Sequence, residues 1–180
     1  MPKPSKEHKI LELFYNYPSK HWKFMEIKEK TNISDDRLNH WLKNLLKQKI
    51  VRKIKEQGKM PYYQGNHEAP EYINSKKIYG LKKLHETGLL NKLYKLKAET
   101  IIIFGSFATG DWHANSDIDI FVHGNTKLPG NWHEETGREI QFFHVKNRKD
   151  FEKYSEGLIK NIIEGYLIKG NLDFIRIKIK

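Results

Sequence analysis

The chain has 180 residues, a formal net charge of +11 and no cysteine. Disulfide frameworks and thiolate metal sites are thereby excluded. No apolar run approaches the ~20 residues of a membrane span, the longest clean one being Ile101 to Phe104.

The N-terminus is charged and lacks an apolar segment of signal-peptide length behind it, so a soluble, cytoplasmic protein with no membrane partner is expected. Ser5 is placed to cap a first helix whose apolar residues Ile10, Leu11, Leu13, Phe14 and Tyr17 mark one face, ending near Asn16 to Pro18. A second short helix fits Met25 to Thr31, with Ile27 inward and Asn32 as the left-handed residue that ends it. Ser34 then caps a third helix, and Asp35 and Asp36 in its first turn complement the dipole. Leu38, Trp41, Leu42, Leu45 and Leu46 follow the spacing of a buried stripe. The opposite face offers Arg37, Asn39, His40, Lys43, Asn44 and Lys47, all able to donate to phosphates or base edges. Ile50 to Glu56, a turn at Gln57-Gly58-Lys59, and Met60 to Gln64 read as a β-hairpin.

Three helices followed by a basic hairpin resemble the winged helix-turn-helix domain of bacterial and archaeal transcription regulators. The resemblance covers residues 5–65 and implies double-stranded DNA as partner. It makes Ser34–Gln48 the recognition helix and the stretch from Arg52 through Lys53 to Lys59 the wing along the backbone. Charge agrees, since residues 1–66 hold 15 Lys and Arg against 7 Asp and Glu, while residues 67–180 hold 18 against 15. A solvated Lys-rich surface would show the same excess, and winged helices also serve as protein-docking modules.

Gly65 to Pro70 is dense in turn formers and marks a boundary, giving a domain over 1–66, a helical connector over 67–97 and a second domain over 98–180. From Glu71 to Leu96 the pattern is helical, interrupted near Gly80 and Gly88, with Tyr72, Ile73, Ile78, Tyr79, Leu84, Leu89 and Leu93 expected in a core or interface.

Ile101 to Phe104 then reads as a buried strand, Gly105-Ser106 as a turn, and Ile118 to Val122 as a second strand. Strand side chains alternate, so Asp117 and Asp119 point to one face while Ile118 and Ile120 point to the other. Two such carboxylates are expensive to hold together unless a cation sits between them. A Gly-Ser turn presents backbone N–H groups and a hydroxyl, a natural seat for phosphate.

Gly105-Ser106, the step to Asp117-Ile-Asp119, and the later strand Gly137 to Phe143 resemble the signature of the nucleotidyltransferase superfamily related to DNA polymerase beta. They are closest to its minimal branch, which includes proteins fused to winged helices and the antitoxins of HEPN/MNT modules. The resemblance implies Mg²⁺ (or Mn²⁺) held by Asp117 and Asp119, and a nucleoside triphosphate, ATP foremost, with its phosphates at Gly105, Ser106 and Thr109. Where many members carry a third carboxylate, the apolar alignment places Gln141, which cannot act as a base and ligates metals weakly. Glu139 lies two residues earlier on the same face. Thr109 stands where many minimal members have Arg or Lys.

His113, His123, His133 and His144 lack a compact metal-ligand spacing, and Trp112 and Trp132 suit packing under loops at least as well as base stacking. Asp150 to Ile163 is amphipathic, with Gly157 placed to divide it, and Leu172 to Ile179 alternates like a half-buried edge strand. The expected architecture is α+β in two domains: a winged helix-turn-helix, then a mixed nucleotidyltransferase-like sheet packed with helices. Two functions follow. One is a DNA-binding, Mg²⁺-dependent enzyme moving a nucleoside monophosphate onto a hydroxyl of a protein (a partner toxin, for example), an RNA or a small molecule. The other is a transcriptional regulator whose second domain is inactive and serves nucleotide sensing or homodimerisation.

Overall fold

In the computed structural model, described here for residues 6–128, 130, 132 and 136–175, the chain forms two compact units. The first comprises Met1–Lys76 with Trp112–Ala114, and the second Lys77–Asp111 with Asn115–Lys180. The division falls inside a helix, past the turn-rich stretch at Gly65.

In the first unit, helices α1 (Lys6–Asn16), α2 (Phe24–Thr31) and α3 (Asp35–Lys47) precede an antiparallel hairpin of β1 (Val51–Ile54) and β2 (Tyr62–Gly65). Ser5, expected to cap α1, lies outside the described residues. α2 ends at Asn32 with φ 52°, a conformation Asn tolerates better than most side chains. α3 buries Leu38, Leu42 and Leu45 on its inner stripe, while Trp41 and Leu46 stay half-buried. Trp22 exchanges both backbone hydrogen bonds with Tyr63 at 2.8 Å, adding a one-residue third partner to the hairpin. The start of α4 (Pro70–Glu86) is fastened to α1 through Tyr72 Oη on the Phe14 carbonyl (2.8 Å) and Tyr15 Oη on Ser75 Oγ (2.6 Å). Burial pushes the Tyr15 hydroxyl up to about 12.

α4 runs unbroken through Gly80, contrary to the expected interruption there; Gly80 is buried, and packing outweighs its roughly 1 kcal/mol propensity cost. Gly88, with φ 79°, does separate α4 from α5 (Leu89–Lys95). Ile78, expected inside, is 71 % exposed, as is Tyr17 in part, whereas Lys76 is buried, its ammonium 4.8 Å from the centre of the Trp112 ring.

The second unit is built on a four-stranded mixed sheet. β3 (Thr100–Phe104) pairs antiparallel with β4 (Ile118–His123) and with β6 (Tyr166–Lys169), and β4 pairs parallel with β5 (Ile140–Val145), giving the order β5-β4-β3-β6. β3 is buried at every position, as its run of isoleucines requires. Ile102, Phe104, Phe121 and Val145 form one core with Phe151 and Ile162. The latter two come from α7 (Arg148–Phe151) and α8 (Glu156–Ile163).

Two expectations at this end are corrected. The amphipathic stretch is split at Ser155, not at Gly157, because the Ser155 side chain accepts from the Leu158 N–H and starts a new helix. Leu172 to Phe174 is a turn rather than a strand, with Phe174 stacked on Phe121 at 5.8 Å; Arg176 to Lys180 lie outside the described residues.

Candidate active site

β3 delivers the chain to Gly105, whose φ of 67° and ψ of −145° suit glycine far better than any other residue. A Cβ added at Gly105 would land on Asp119 Oδ2, so the turn and the carboxylate share one space. Ser106–Thr109 form the single turn α6 directly after it. The Thr109 hydroxyl is spent inside this turn, donating to the Ser106 carbonyl at 3.3 Å. Gly105→Ala is expected to displace Asp119 and strain the turn together. Thermal denaturation should show a loss of several °C, and Mn²⁺ binding should fall at least tenfold.

The ladder sets the rest of the geometry. Phe104, Asp119 and Gln141 lie in one row across β3, β4 and β5. Asp117 sits one residue before β4, and Gln141 Nε2 donates to its Oδ2 at 2.7 Å. Burial, and then the charge of Asp117, raise the Asp119 carboxyl above the ordinary aspartate value. Two carboxylates therefore converge in a half-buried setting, which is the donor chemistry a hard divalent cation takes. Glu139 is exposed, just ahead of β5, and its carbonyl accepts from the Ile118 N–H.

The structure adds Arg138, which sequence reasoning missed. Its guanidinium donates to the Ser116 carbonyl at 2.9 Å and lies 5.2 Å from the centre of the Phe107 ring. It thus ties the residue before Asp117 to the turn that carries Ser106. An arginine beside a glycine at a strand start was the only signal for it.

Other candidates fall away from this row. His123 stacks on Phe174 at the far end of β4, and His144 Nε2 lies 2.8 Å from the Gly124 carbonyl oxygen. His133 lies outside the described residues. Trp112 is buried in the first unit against Tyr15, and Trp132 meets Phe142 edge-on. Among the described residues no group of three His, Cys, Asp or Glu is placed to hold a metal.

Residues 88–175 match the family model of the nucleotidyltransferase domain. Neither a curated protein nor a solved structure matches the chain. The matched nucleotidyltransferase segment contains the whole row of Phe104, Asp119 and Gln141, together with Gly105, Ser106 and Arg138. Among the described residues no helix is long and apolar enough to cross a membrane.

In the first unit, Arg37, Asn39, His40, Lys43 and Lys47 are exposed along α3, and Asn44 is half-buried with Nδ2 3.1 Å from His40 Nε2. An open groove of about 420 Å³ beside them is lined by Lys6, Asp36, Arg37, His40 and Trp41. The hairpin cations differ in their freedom. Arg52 is forked onto Gln64 Oε1 at 3.0 and 2.8 Å, and Lys59 is paired with Glu56, while Lys53 is exposed.

Proposed function

We propose that the chain is a DNA-binding, Mg²⁺-dependent nucleotidyltransferase that moves a nucleoside monophosphate from a nucleoside triphosphate, ATP foremost, to a hydroxyl acceptor. The observation that carries this reading is the seat of Asp119 against Gly105. A carboxylate that would anchor metal is pressed onto the turn that would receive phosphate, inside a segment matching the nucleotidyltransferase family. Asp117 and Asp119 would hold Mg²⁺, which when bound would supply charge neutralisation on the triphosphate. The chain's part is to orient: Arg138 fixes the approach to Asp117, and the Gly105 turn brings Ser106 and its backbone N–H to the phosphates. The acceptor oxygen forms a bond to the α-phosphorus, the bond to the α,β-bridging oxygen breaks, pyrophosphate leaves, and the hydroxyl proton passes to solvent. Labelled ATP with Mg²⁺ should mark a macromolecule in a lysate of the source cell or the protein itself, and Asp117→Ala should abolish the mark. Binding of ATP with no transfer to protein, RNA or small-molecule acceptors would sink the enzymatic reading. It would leave the regulator whose second domain senses nucleotide, which the Gln141–Asp117 hydrogen bond favours.

The order of helices and hairpin in the first unit supports a winged-helix reading of residues 5–65, with double-stranded DNA against α3. On that reading Arg37→Ala and Lys43→Ala each lower the salt slope of duplex binding by about 1. Arg52→Ala changes it less, because that guanidinium already serves Gln64. Fluorescence anisotropy of a labelled duplex between 50 and 200 mM salt measures this. A slope unmoved by Arg37→Ala and Lys43→Ala would remove α3 from the interface.

A further inference from the structure

The donor inventory around Asp119 decides how many cations the site takes, a question that rests on the nucleotidyltransferase reading for its nucleotide but not for its metal. In the row that holds Asp119, the neighbour on β3 is Phe104, an apolar ring, and the neighbour on β5 is Gln141, an amide. A carboxylate oxygen only accepts, so the amide atom 2.7 Å from Asp117 Oδ2 must be the nitrogen; an amide oxygen there would repel it. That hydrogen bond takes one of the roughly four lone-pair sites of the Asp117 carboxylate and puts an N–H donor, which no cation can use as a ligand, beside it. Two divalent ions ~3.5–4 Å apart each need several oxygen ligands, and beside the triphosphate the row and its flank offer two carboxylates, with no third one level with Asp119. Glu139 is exposed and sits outside the strand, two positions before Gln141.

We propose that the Asp117–Asp119 pair is a single-cation site, and that the Gln141 amide occupies the place of a second cation, holding Asp117 by hydrogen bond. The nucleotide is then bound as its one-metal complex. Gln141 acts as a positioning residue: it keeps Asp117 directed toward the site when only one ion is present. The acceptor hydroxyl meets no second metal.

Electron paramagnetic resonance of Mn²⁺ tests this on the full chain, with Mn²⁺ alone and with Mn²⁺ plus a non-transferable α,β-methylene ATP. One magnetically isolated Mn²⁺ per chain is expected in both arms, and its loss in Asp119→Asn assigns it to the pair. Gln141→Glu, a near-isosteric change, is expected to bind two ions in the nucleotide arm and to show the spectrum of a spin-coupled pair. Two coupled ions in the unaltered protein, or no bound ion in either arm, overturn the proposal, as does Gln141→Glu holding one ion while remaining folded by circular dichroism. One ion bound in both arms with no nucleotide retained supports the single-cation site and defeats the nucleotidyltransferase reading instead.

Discussion

Asp119→Asn should abolish nucleotidyl transfer and at the same time raise the melting temperature of the metal-free protein at neutral pH. On the proposed function the loss follows from removing one of the two carboxylates that would hold the cation, and transition-state charge stabilisation of this kind is worth ~10²–10³ in rate or more. The gain follows from what the carboxylate costs without metal. Burial and Asp117 raise the Asp119 carboxyl above its ordinary value, so the folded state disfavours the ionised form relative to the unfolded chain. Below the unfolded-state value both forms are neutral and the cost vanishes. As pH rises toward and past the folded-state value, the folded protein binds more protons than the unfolded one, stability falls, and above it the cost stays constant. An asparagine of the same shape keeps the close approach to Gly105 and carries no charge. The difference in melting temperature between variant and parent should therefore be near zero below the unfolded-state value, grow as pH rises through the folded-state value and level off above it. Mg²⁺ should raise the melting temperature of the parent and leave Asp119→Asn unmoved. A variant less stable than the parent in chelator at neutral pH would show that Asp119 is held by interactions that outweigh its desolvation.

What could be read in the sequence and what could not divide along the range of the interactions. Local signals carried far: Asn32 and Gly88 end helices where left-handed residues should, Gly58 turns the hairpin with φ 72°, and the alternation around Asp119 sets a buried strand. Failures came where tertiary packing overrode local preference. Gly80 reads as a helix breaker until its burial is known, and Ile78, expected inside, stands 71 % exposed. The break in the last amphipathic stretch went to the residue with a capping hydroxyl, Ser155, rather than to the glycine beside it. At the candidate site, apolar alignment of the third strand was enough to bring Gln141 level with Asp119. It could not show that the amide bonds Asp117, nor that Arg138 reaches back across the chain to Ser116. Those contacts depend on side-chain direction, which a period-two pattern assigns only to a face. The hairpin shows the same limit, since Arg52 and Lys53 are equal as letters, yet Arg52 is forked onto Gln64 while the Lys53 ammonium lies 5.6 Å from the centre of the Tyr63 ring.

On the proposed transfer reading, Gln141→Glu should speed nucleotidyl transfer by about 10²-fold, the lower end of what a positioned base contributes. The substitution keeps the length and branching of the side chain and sits in register with Asp119, so the new carboxylate enters the row already formed by β3, β4 and β5. It supplies the acceptor hydroxyl with a proton acceptor that an amide cannot be. In chelator the variant should be less stable than the parent, because the hydrogen bond to Asp117 is replaced by a third like charge beside two others. Mg²⁺ should reverse that order, and the crossing of the two stability curves with added metal is the signature that separates a gained ligand from a general perturbation. Gln141→Ala loses the same hydrogen bond and gains nothing, so it should be slower than the parent at every Mg²⁺ concentration. Single-turnover transfer from labelled ATP, compared across the three proteins, reads both effects. If Gln141→Glu and Gln141→Ala were equally slow, the rate would be limited by the seating of Asp117 and not by the lack of a base, and Gln141 would be serving transfer as it stands.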